Sequence, residues 1–451
     1  MIVTKNWLKE WIDISSISTD ELCKTLNDIG LEIDSVTKHK MPEYCVVGYV
    51  KQRVQHPDAD KLSVCTVDVG SEIVQIVCGA KNVAEGQFVA VSLVGAKLPN
   101  GLEIKKAKLR GVESCGMICS STELGLPKIN DGIMILSVGS YKFPAGTALR
   151  EIPELNDDVI EIGLTPNRGD CLSIHGVARD LSAALNLKVK TPAALEDDVS
   201  QIGIGRVLDL RVVDKINSSL VYKVIYPKEL KSNLTIDLRL AFVGIDAKSV
   251  IDKHLSYSTH ASGVILRAYK GDLFVKDEDG KVDIIIKKDT NGLDIVCAEN
   301  TLSCVGVFQE KETKANDDDK FLIIEASYIN PEFLANHGAR EIKKADSYLY
   351  RTLRGSEPEL CFGINFLGYL FNTTSKVGIL AGTQQIVEDK ELRRVNVDID
   401  DMFSIIGKEL PRVEIIDILN RLGFKTLVKP EQNLISVEVP HFRHDVENMQ
   451  D

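Results

Sequence analysis

The spacing of apolar residues changes within the first forty positions, which predicts a helix followed by a strand. Ser18 and Glu21 stand three positions apart, in the pattern of a capping box that begins a helix. Apolar residues then recur at helical spacing until Gly30, where the helix is expected to end. Residues 31–35 alternate between apolar and polar, as on a half-buried strand. Residues 150–195, which read as a strand, a turn with Asp170 as candidate N-cap, and a helix, are expected to complete this small α/β unit.

Short β-type runs separated by turn residues replace this pattern over the next hundred positions. Five such runs within about 90 residues predict a small closed barrel. The barrel is expected to occupy residues 41–149 and to be inserted into the α/β unit of residues 1–40 and 150–195. The predicted strands are 46–54, 62–69, 73–78, 88–93 and 104–109.

The remaining chain divides into a long mixed segment and a short, clearer end. Residues 205–390 alternate strands and helices without a repeat, which indicates an α+β domain. Residues 393–451 predict a helix, a second helix starting at Pro411, and a hairpin, an arrangement typical of winged-helix domains. This domain is expected to be truncated, because no closing element precedes Asp451. The fold class is therefore multidomain α+β.

Composition narrows the classes of function. Hydrophobic residues make up 44% and charged residues 27% of the 451 residues, as in globular proteins, and no run is long enough to span a membrane. A net charge of −12 argues against coating nucleic acid by charge alone, so any RNA contact needs a local basic surface or a partner. The ten cysteines form no CxxC pair, which favours small buried thiols in a reducing cytoplasm over a zinc site.

One predicted strand carries a candidate RNA-binding surface. Alternate residues of a strand face the same way, so Lys106, Lys108 and Arg110 would share one face and suit a phosphate backbone. The alternative is an ordinary solvated strand face. Aromatic residues are scarce in the β runs, which favours weak or shape-based contact over tight reading of bases. The turn at residues 56–61 could suggest a metal or acid–base site, but capping of backbone N–H groups is the preferred interpretation.

Three passages resemble a known family. Residues 56–62, 76–82 and 108–120 are similar to the tRNA-binding barrel of the oligonucleotide-binding (OB) type, which several synthetases share. Residues 165–180, placed just after the barrel, and residues 439–445 resemble the β subunit of bacterial phenylalanine–tRNA ligase. Order and spacing match along the whole chain, most weakly between residues 205 and 390. The resemblance identifies the last two segments as B3/B4-like and B5 domains.

The resemblance implies a function shared with a partner. A catalytic α subunit would use ATP to attach phenylalanine to tRNA(Phe) in an α2β2 complex, and this chain would supply scaffold and RNA contact. The absence of a Walker loop, a dinucleotide fingerprint and a nucleophile triad agrees with catalysis in another chain. Two alternatives remain open: a free-standing tRNA-binding protein, and, less favoured, a free-standing hydrolase of mischarged tRNA.

The family's B3/B4 domain hydrolyses tyrosine wrongly attached to tRNA(Phe), because an apolar phenylalanine pocket rejects an added hydroxyl only weakly. Here Glu325 matches the glutamate that recognises the tyrosine hydroxyl, and Gly306 matches one of a pair of pocket glycines. The family's histidine-containing pocket segment is missing, and His260 is only a tempting substitute base. Tyr348 falls where the family has a small alanine. Editing is therefore expected to be weak or lost.

The resemblance also implies half of a metal site. The family carries aspartates at the positions of Asp445 and Asp451, followed by a pair of glutamates, as ligands for Mg²⁺, which prefers carboxylate oxygens. The glutamate pair lies beyond the present sequence, so no firm metal site is expected. The alternative is that Asp445 pairs with Arg443 or His444.

Overall fold

The structure is a computed structural model of the chain. It describes residues 1–136, 143–196, 202–274, 276, 280–387, 392–428 and 433–451. Residue 390, predicted to end the B3/B4-like segment, lies outside the described residues.

The first four elements belong to the small α/β unit, and both of its first two helices begin at a residue whose side chain caps a backbone N–H. The capping box of Ser18 and Glu21 is present, with the serine side chain and the glutamate carboxylate each accepting from the other's backbone N–H. An unpredicted first helix begins where the Thr4 hydroxyl accepts from the Trp7 N–H. The elements are β1 (Ile2–Thr4), α1 (Lys5–Trp11), α2 (Thr19–Asp28) and β2 (Glu32–Lys38).

A five-stranded antiparallel sheet follows and closes almost completely into a barrel. Its strand order is β5-β4-β3-β6-β9, and a backbone bond from Cys115 to Gln75 brings its two edges together. The prediction of a barrel strand at 104–109 is wrong, because part of that segment pairs only with β8 in a separate hairpin. The elements are β3 (Cys45–His56), β4 (Ala59–Asp68), β5 (Ile73–Cys78), β6 (Phe88–Leu93), β7 (Ala107–Leu109), β8 (Val112–Ser114) and β9 (Gly116–Ile118).

The chain then returns to the first unit. Strand β10 (Asp158–Gly163) lies between β1 and β2 in an antiparallel sheet, so the barrel is an insertion in this unit. Helix α3 (Ile174–Leu185) follows, and its N-cap is Ser173, whose hydroxyl accepts from the Gly176 N–H. The prediction of Asp170 as N-cap is wrong, because that carboxylate instead binds a nearby arginine.

Two sheets and a layer of helices make up the next segment. One sheet has the order β11-β14-β15-β16-β17, and the other has the order β13-β18-β12-β19 with β20 also on β12. The elements are β11 (Leu208–Val212), β12 (Ser218–Glu229), α4 (Leu234–Phe242), α5 (Val250–Ser262), β13 (Ile265–Lys270), β14 (Val282–Lys288), β15 (Asp294–Cys297), β16 (Thr301–Cys304), β17 (Phe308–Gln309), β18 (Leu322–Ile329), α6 (Pro331–Asn336), α7 (Leu349–Thr352), α8 (Leu360–Thr374), β19 (Lys376–Ile379) and β20 (Gln384–Ile386).

This segment shares a hydrophobic core with the first unit. The indole of Trp7 stacks on Tyr257 of α5, with ring centroids 4.6 Å apart. The Arg239 guanidinium of α4 donates to both carboxylate oxygens of Glu10, at 2.9 and 2.6 Å, and to the Tyr257 hydroxyl. The first unit therefore serves as a platform for α4 and α5.

The last segment is a helix pair on a three-stranded antiparallel sheet of order β21-β23-β22. The two predicted helices and the hairpin are present, and β21 was not predicted. The elements are β21 (Arg394–Asp398), α9 (Ile399–Ile406), α10 (Arg412–Arg421), β22 (Lys425–Val428) and β23 (Leu434–Glu438). Within the described segments, no helix combines the length and apolar character needed to cross a membrane.

Candidate functional site

Glu325 lies at the centre of a row of polar side chains across three neighbouring strands. It pairs in register with Tyr222 of β12 on one side and with Arg267 of β13 on the other. Residues paired in register have side chains on the same face of a sheet, and Tyr269, two positions after Arg267, joins them there. All four side chains are buried.

The Glu325 carboxylate accepts hydrogen bonds from two tyrosine hydroxyls of the protein itself. The hydroxyls of Tyr222 and Tyr269 each donate to Oε2 at 2.9 Å, and the Ser303 hydroxyl lies 2.7 Å from that of Tyr269. Burial raises the pKa of the Glu325 carboxyl above its ordinary range, against the opposing effects of Arg267 and the two hydroxyls. These two bonds engage one oxygen, Oε2, whereas Oε1 is buried and receives neither of them.

An open space lies beside Arg267. A cavity of about 410 Å³ is lined by Arg267, Asp346 and Tyr348, while Glu325 is not among the described residues that line it. The Arg267 guanidinium is paired with the Asp346 carboxylate and lies 5.4 Å from the centre of the Tyr348 ring. An arginine–aspartate pair and a tyrosine ring thus form this cavity's wall.

Gly306 lies in the tight turn between β16 and β17. Its φ of +73° is a conformation that favours glycine, and an added Cβ would lie 2.6 Å from Thr352 and 2.8 Å from Ile329. Backbone geometry and close packing therefore explain this glycine without reference to a ligand.

His260 has a structural environment. It lies on helix α5. Its Nδ1 accepts from Arg351 at 3.1 Å, so its Nε2 carries the proton and donates to the Ile2 carbonyl at 2.9 Å. Burial, helped by the Arg351 charge, lowers the pKa of His260 to about 3. The Nε2 bond thus connects the middle segment to the first unit, and the Nδ1 bond lies within the middle segment.

The structure changes the geometry expected for the basic surface of the barrel. Lys106 precedes β7, and Arg110 occupies the hairpin turn with a φ of +46°, followed by Gly111 at +85°. Positive φ at both turn residues is the type I′ geometry of two-residue hairpins. The expectation that Lys106, Lys108 and Arg110 share one strand face is therefore wrong, although all three are exposed on one hairpin.

Only part of this basic charge is already paired. The Lys106 ammonium lies 2.7 Å from the Glu113 carboxylate, in an exposed ion pair. Lys108 and Arg110 have no ion pair among the residues that the structure describes. Lys108 and Arg110 are thus two solvent-exposed cations near the hairpin tip, where a phosphate backbone could reach them.

His56 holds this hairpin against the barrel. Its Nδ1 accepts from the Asp58 backbone N–H at 3.0 Å, so Nε2 is protonated and donates to the Leu109 carbonyl at 3.0 Å. The turn at residues 56–61 is thus structural, as preferred from the sequence, but the imidazole accepts the backbone bond instead of a carboxylate.

The two candidate metal ligands have other partners. Arg443 donates to both oxygens of Asp445, at 2.8 and 3.0 Å, and Asn167 adds a third bond. The Asp451 carboxylate accepts the backbone N–H groups of Glu447 and Asn448. These residues fit a Mg²⁺ site poorly: they provide at most two carboxylates, and the Arg443 charge opposes a cation at one of them.

A second cluster of acidic residues is neutralised by an arginine of the chain itself. Asp170, Cys171 and Asp180 bring their donor atoms close together, as metal ligands would. The Arg168 guanidinium lies among them, however, with two bonds of 3.0 Å to Asp170 and one of 2.6 Å to Asp180. The arginine supplies the positive charge that these buried carboxylates require.

Sequence reasoning missed Tyr222, Tyr269 and Arg267 as partners of Glu325. They come from strands 56 to 103 residues away in the chain, and no local pattern fixes the register that brings them together.

Comparison with known proteins agrees with these features. Residues 45–143 match the model of a family described as "Putative tRNA binding domain", and residues 395–451 match "tRNA synthetase B5 domain". The multidomain α+β fold class, with an OB-like barrel and a B5 domain, is thereby confirmed.

Relatives extend along the whole chain. All of it aligns with the phenylalanine–tRNA ligase β subunits of Campylobacter jejuni strain RM1221, at 44% identity, and of Wolinella succinogenes, at 43%. The chain spans 58% of the length of each of these relatives. A solved N-terminal fragment of the Pyrococcus horikoshii phenylalanyl-tRNA synthetase β subunit aligns with 65% of this chain and 84% of its own, at 13% identity and a TM-score of 0.32. The resemblance found in the sequence is confirmed.

Proposed function

We infer, from this relationship to phenylalanine–tRNA ligase β subunits along the whole chain, that the protein acts as the β component of such a ligase. It would bind tRNA(Phe) and support an α subunit that attaches phenylalanine with ATP, in an α2β2 complex in the cytoplasm. The observation that carries the proposal is 44% identity over the entire chain. Mg²⁺ belongs to the proposal only for the complete complex, because Asp445 and Asp451 are engaged within the chain.

Co-expression tests this role. The gene product would be tagged, produced together with the phenylalanine–tRNA ligase α subunit of the same organism, and purified through the tag. We expect the α subunit to co-elute together with phenylalanylation activity. Elution of the tagged chain alone, while the α subunit charges tRNA without it, would contradict the proposal and favour a free-standing tRNA-binding protein.

We further propose that editing of Tyr-tRNA(Phe) is weak or lost. The support is the position of Glu325: the carboxylate that would have to accept a substrate hydroxyl already accepts two tyrosine hydroxyls of the chain. A substrate hydroxyl would have to reach a carboxylate that is buried in the core and already binds both tyrosines through one oxygen. The open cavity nearby is lined by Arg267 and Tyr348 instead of this carboxylate.

A deacylation assay with Tyr-tRNA(Phe) on the assembled enzyme tests the second proposal. Slow hydrolysis is expected, unchanged by Glu325→Ala. Glu332→Ala, at an exposed position of α6, is the matched control for loss of a carboxylate. Rapid hydrolysis by the unaltered enzyme would refute the proposal, and its loss in Glu325→Ala, with phenylalanylation retained and the control unaffected, would assign it to this carboxylate.

A further inference from the structure

The barrel carries a groove that the proposed RNA contacts of its hairpin do not use. It lies between the β7–β8 hairpin and the loops that follow β5 and β9, and it has a volume of about 820 Å³. Sites for small organic molecules commonly have volumes of 300 to about 1,000 Å³. The groove is therefore large enough for a nucleoside.

Several separate stretches of the chain build its walls, and three of them contribute small side chains or glycine. Gly79 and Ala80 follow β5, Ser114 and Ser120 flank β9, and Ala107 comes from the hairpin. The first two stretches fall within the passages that resemble tRNA-binding barrels, although more than thirty residues separate them. The barrel fold thus gathers these motif residues around one space.

The charges that line the groove do not favour a phosphate. Lys105 is paired with Glu103 at 3.0 Å, and Lys128 is paired with Asp131. Glu123 also lines the groove and accepts a bond of 2.7 Å from the Ser120 hydroxyl. The lining therefore contains three carboxylates against two ammonium groups, which suits a neutral group with hydrogen-bonding edges.

Unpaired cations lie next to the groove. Ala107 and Leu109 line it, so Lys108, between them on β7, faces the opposite side of the hairpin. Arg110 occupies the adjoining turn. Neither cation has a direct ion pair among the described residues, and Glu113, opposite Lys108 on the outer side, is paired with Lys106. A polyanion could therefore follow Lys108 and Arg110 along that side while a neutral group enters the groove.

We propose that the groove receives one unstacked base of an RNA whose backbone contacts Lys108 and Arg110. This inference rests on the proposed RNA-binding function and adds the kind of RNA: a folded RNA with an unpaired base, as opposed to a continuous duplex. No aromatic side chain lines the groove among the described residues. Recognition of the base would therefore depend on polar edges and aliphatic walls, not on stacking between rings.

A bulky substitution tests the groove separately from the cations. Ala107→Trp places an indole at an exposed position that lines the groove, and Ala84→Trp, at an exposed position of the same barrel outside the lining, is the matched control. The whole chain would be titrated with transcribed tRNA(Phe) and with a blunt RNA duplex of equal length. We expect Ala107→Trp to weaken tRNA binding about tenfold, the effect of losing one good contact, without changing duplex binding.

The cation variants have a different signature. Lys108→Ala and Arg110→Ala should weaken binding of both RNAs, and each should lower the slope of log K against log salt by about 0.7 to 0.9. Ala107→Trp should leave that slope unchanged. Leu109→Ala removes an apolar wall without adding bulk and should weaken tRNA binding alone, which guards against misfolding of the tryptophan variant.

The outcomes separate the two claims. If Ala107→Trp and Leu109→Ala change neither affinity, or change tRNA and duplex binding equally, the base-binding groove is refuted while RNA binding stands. If Lys108→Ala and Arg110→Ala leave both affinities unchanged, the proposed RNA contact of the hairpin fails, and the groove proposal fails with it.

Discussion

Replacing Glu325 by glutamine should change how the stability of the protein depends on pH. Burial raises the pKa of this carboxyl in the folded state, whereas in the unfolded chain it returns to its ordinary value near 4.5. Between these two values the unfolded state has released the proton and the folded state still holds it. The stability that protonated Glu325 provides is therefore complete below pH 4.5 and is lost as pH rises through the folded-state pKa.

The size of the effect follows from linkage. One proton held only by the folded state lowers the free energy of unfolding by about 1.4 kcal/mol for each pH unit within that window. Glutamine has nearly the same shape, and its carbonyl can still accept the hydroxyls of Tyr222 and Tyr269. As pH rises, the free energy of unfolding of Glu325→Gln should therefore increase relative to that of the unaltered protein. Glu325→Ala, by contrast, leaves the buried Tyr222 hydroxyl without an acceptor, while Tyr269 keeps Ser303, at a cost of roughly 1–3 kcal/mol.

Urea unfolding at several values between pH 4.5 and pH 8 would measure the difference between Glu325→Gln and the unaltered protein. Taking the difference removes the contributions of other titrating groups that the two proteins share. Glu332→Gln, at an exposed site, serves as control and should follow the unaltered protein throughout. If the Glu325→Gln curve also runs parallel to that of the unaltered protein, Glu325 does not hold its proton in the fold and the reasoning fails.

Three further substitutions probe the framework around the candidate sites. Gly306→Ala should destabilise by roughly 2–4 kcal/mol in urea unfolding, because the new methyl group meets packed side chains at a positive φ. Glu10→Ala should cost roughly 1–3 kcal/mol, since it leaves the buried Arg239 guanidinium without its carboxylate; Glu10→Gln should cost less. His56→Ala should accelerate hydrogen exchange in the β7–β8 hairpin and weaken RNA binding, because it removes the bond to the Leu109 carbonyl.

Local patterns predicted the elements whose signals lie within a few residues. The capping box of Ser18 and Glu21 and the alternation of the first four barrel strands are such signals. The fifth strand was misplaced because residues 106–109 alternate between polar and apolar, as on a strand, whereas the turn at Arg110 and Gly111 pairs residues 107–109 with β8 in a separate hairpin. The type I′ turn lacked the usual asparagine–glycine pair that would have marked it. The surroundings of Glu325 depend on sheet register between distant strands, which local patterns do not specify.

The position of Glu325 also explains why this residue could match the glutamate of an editing domain without serving in editing. Strand β18 is buried along its whole length, and the side of it that carries Glu325 faces the large core of the middle segment. A buried carboxyl group that accepts two tyrosine hydroxyls cannot be exchanged for an apolar residue without leaving Tyr222 no acceptor and Tyr269 only Ser303. Selection for folding alone would therefore keep Glu325, Tyr222 and Tyr269 together after an editing reaction had been lost. Retention of the glutamate is thus no evidence for editing, and only a substrate assay on the assembled enzyme separates a working site from a polar core.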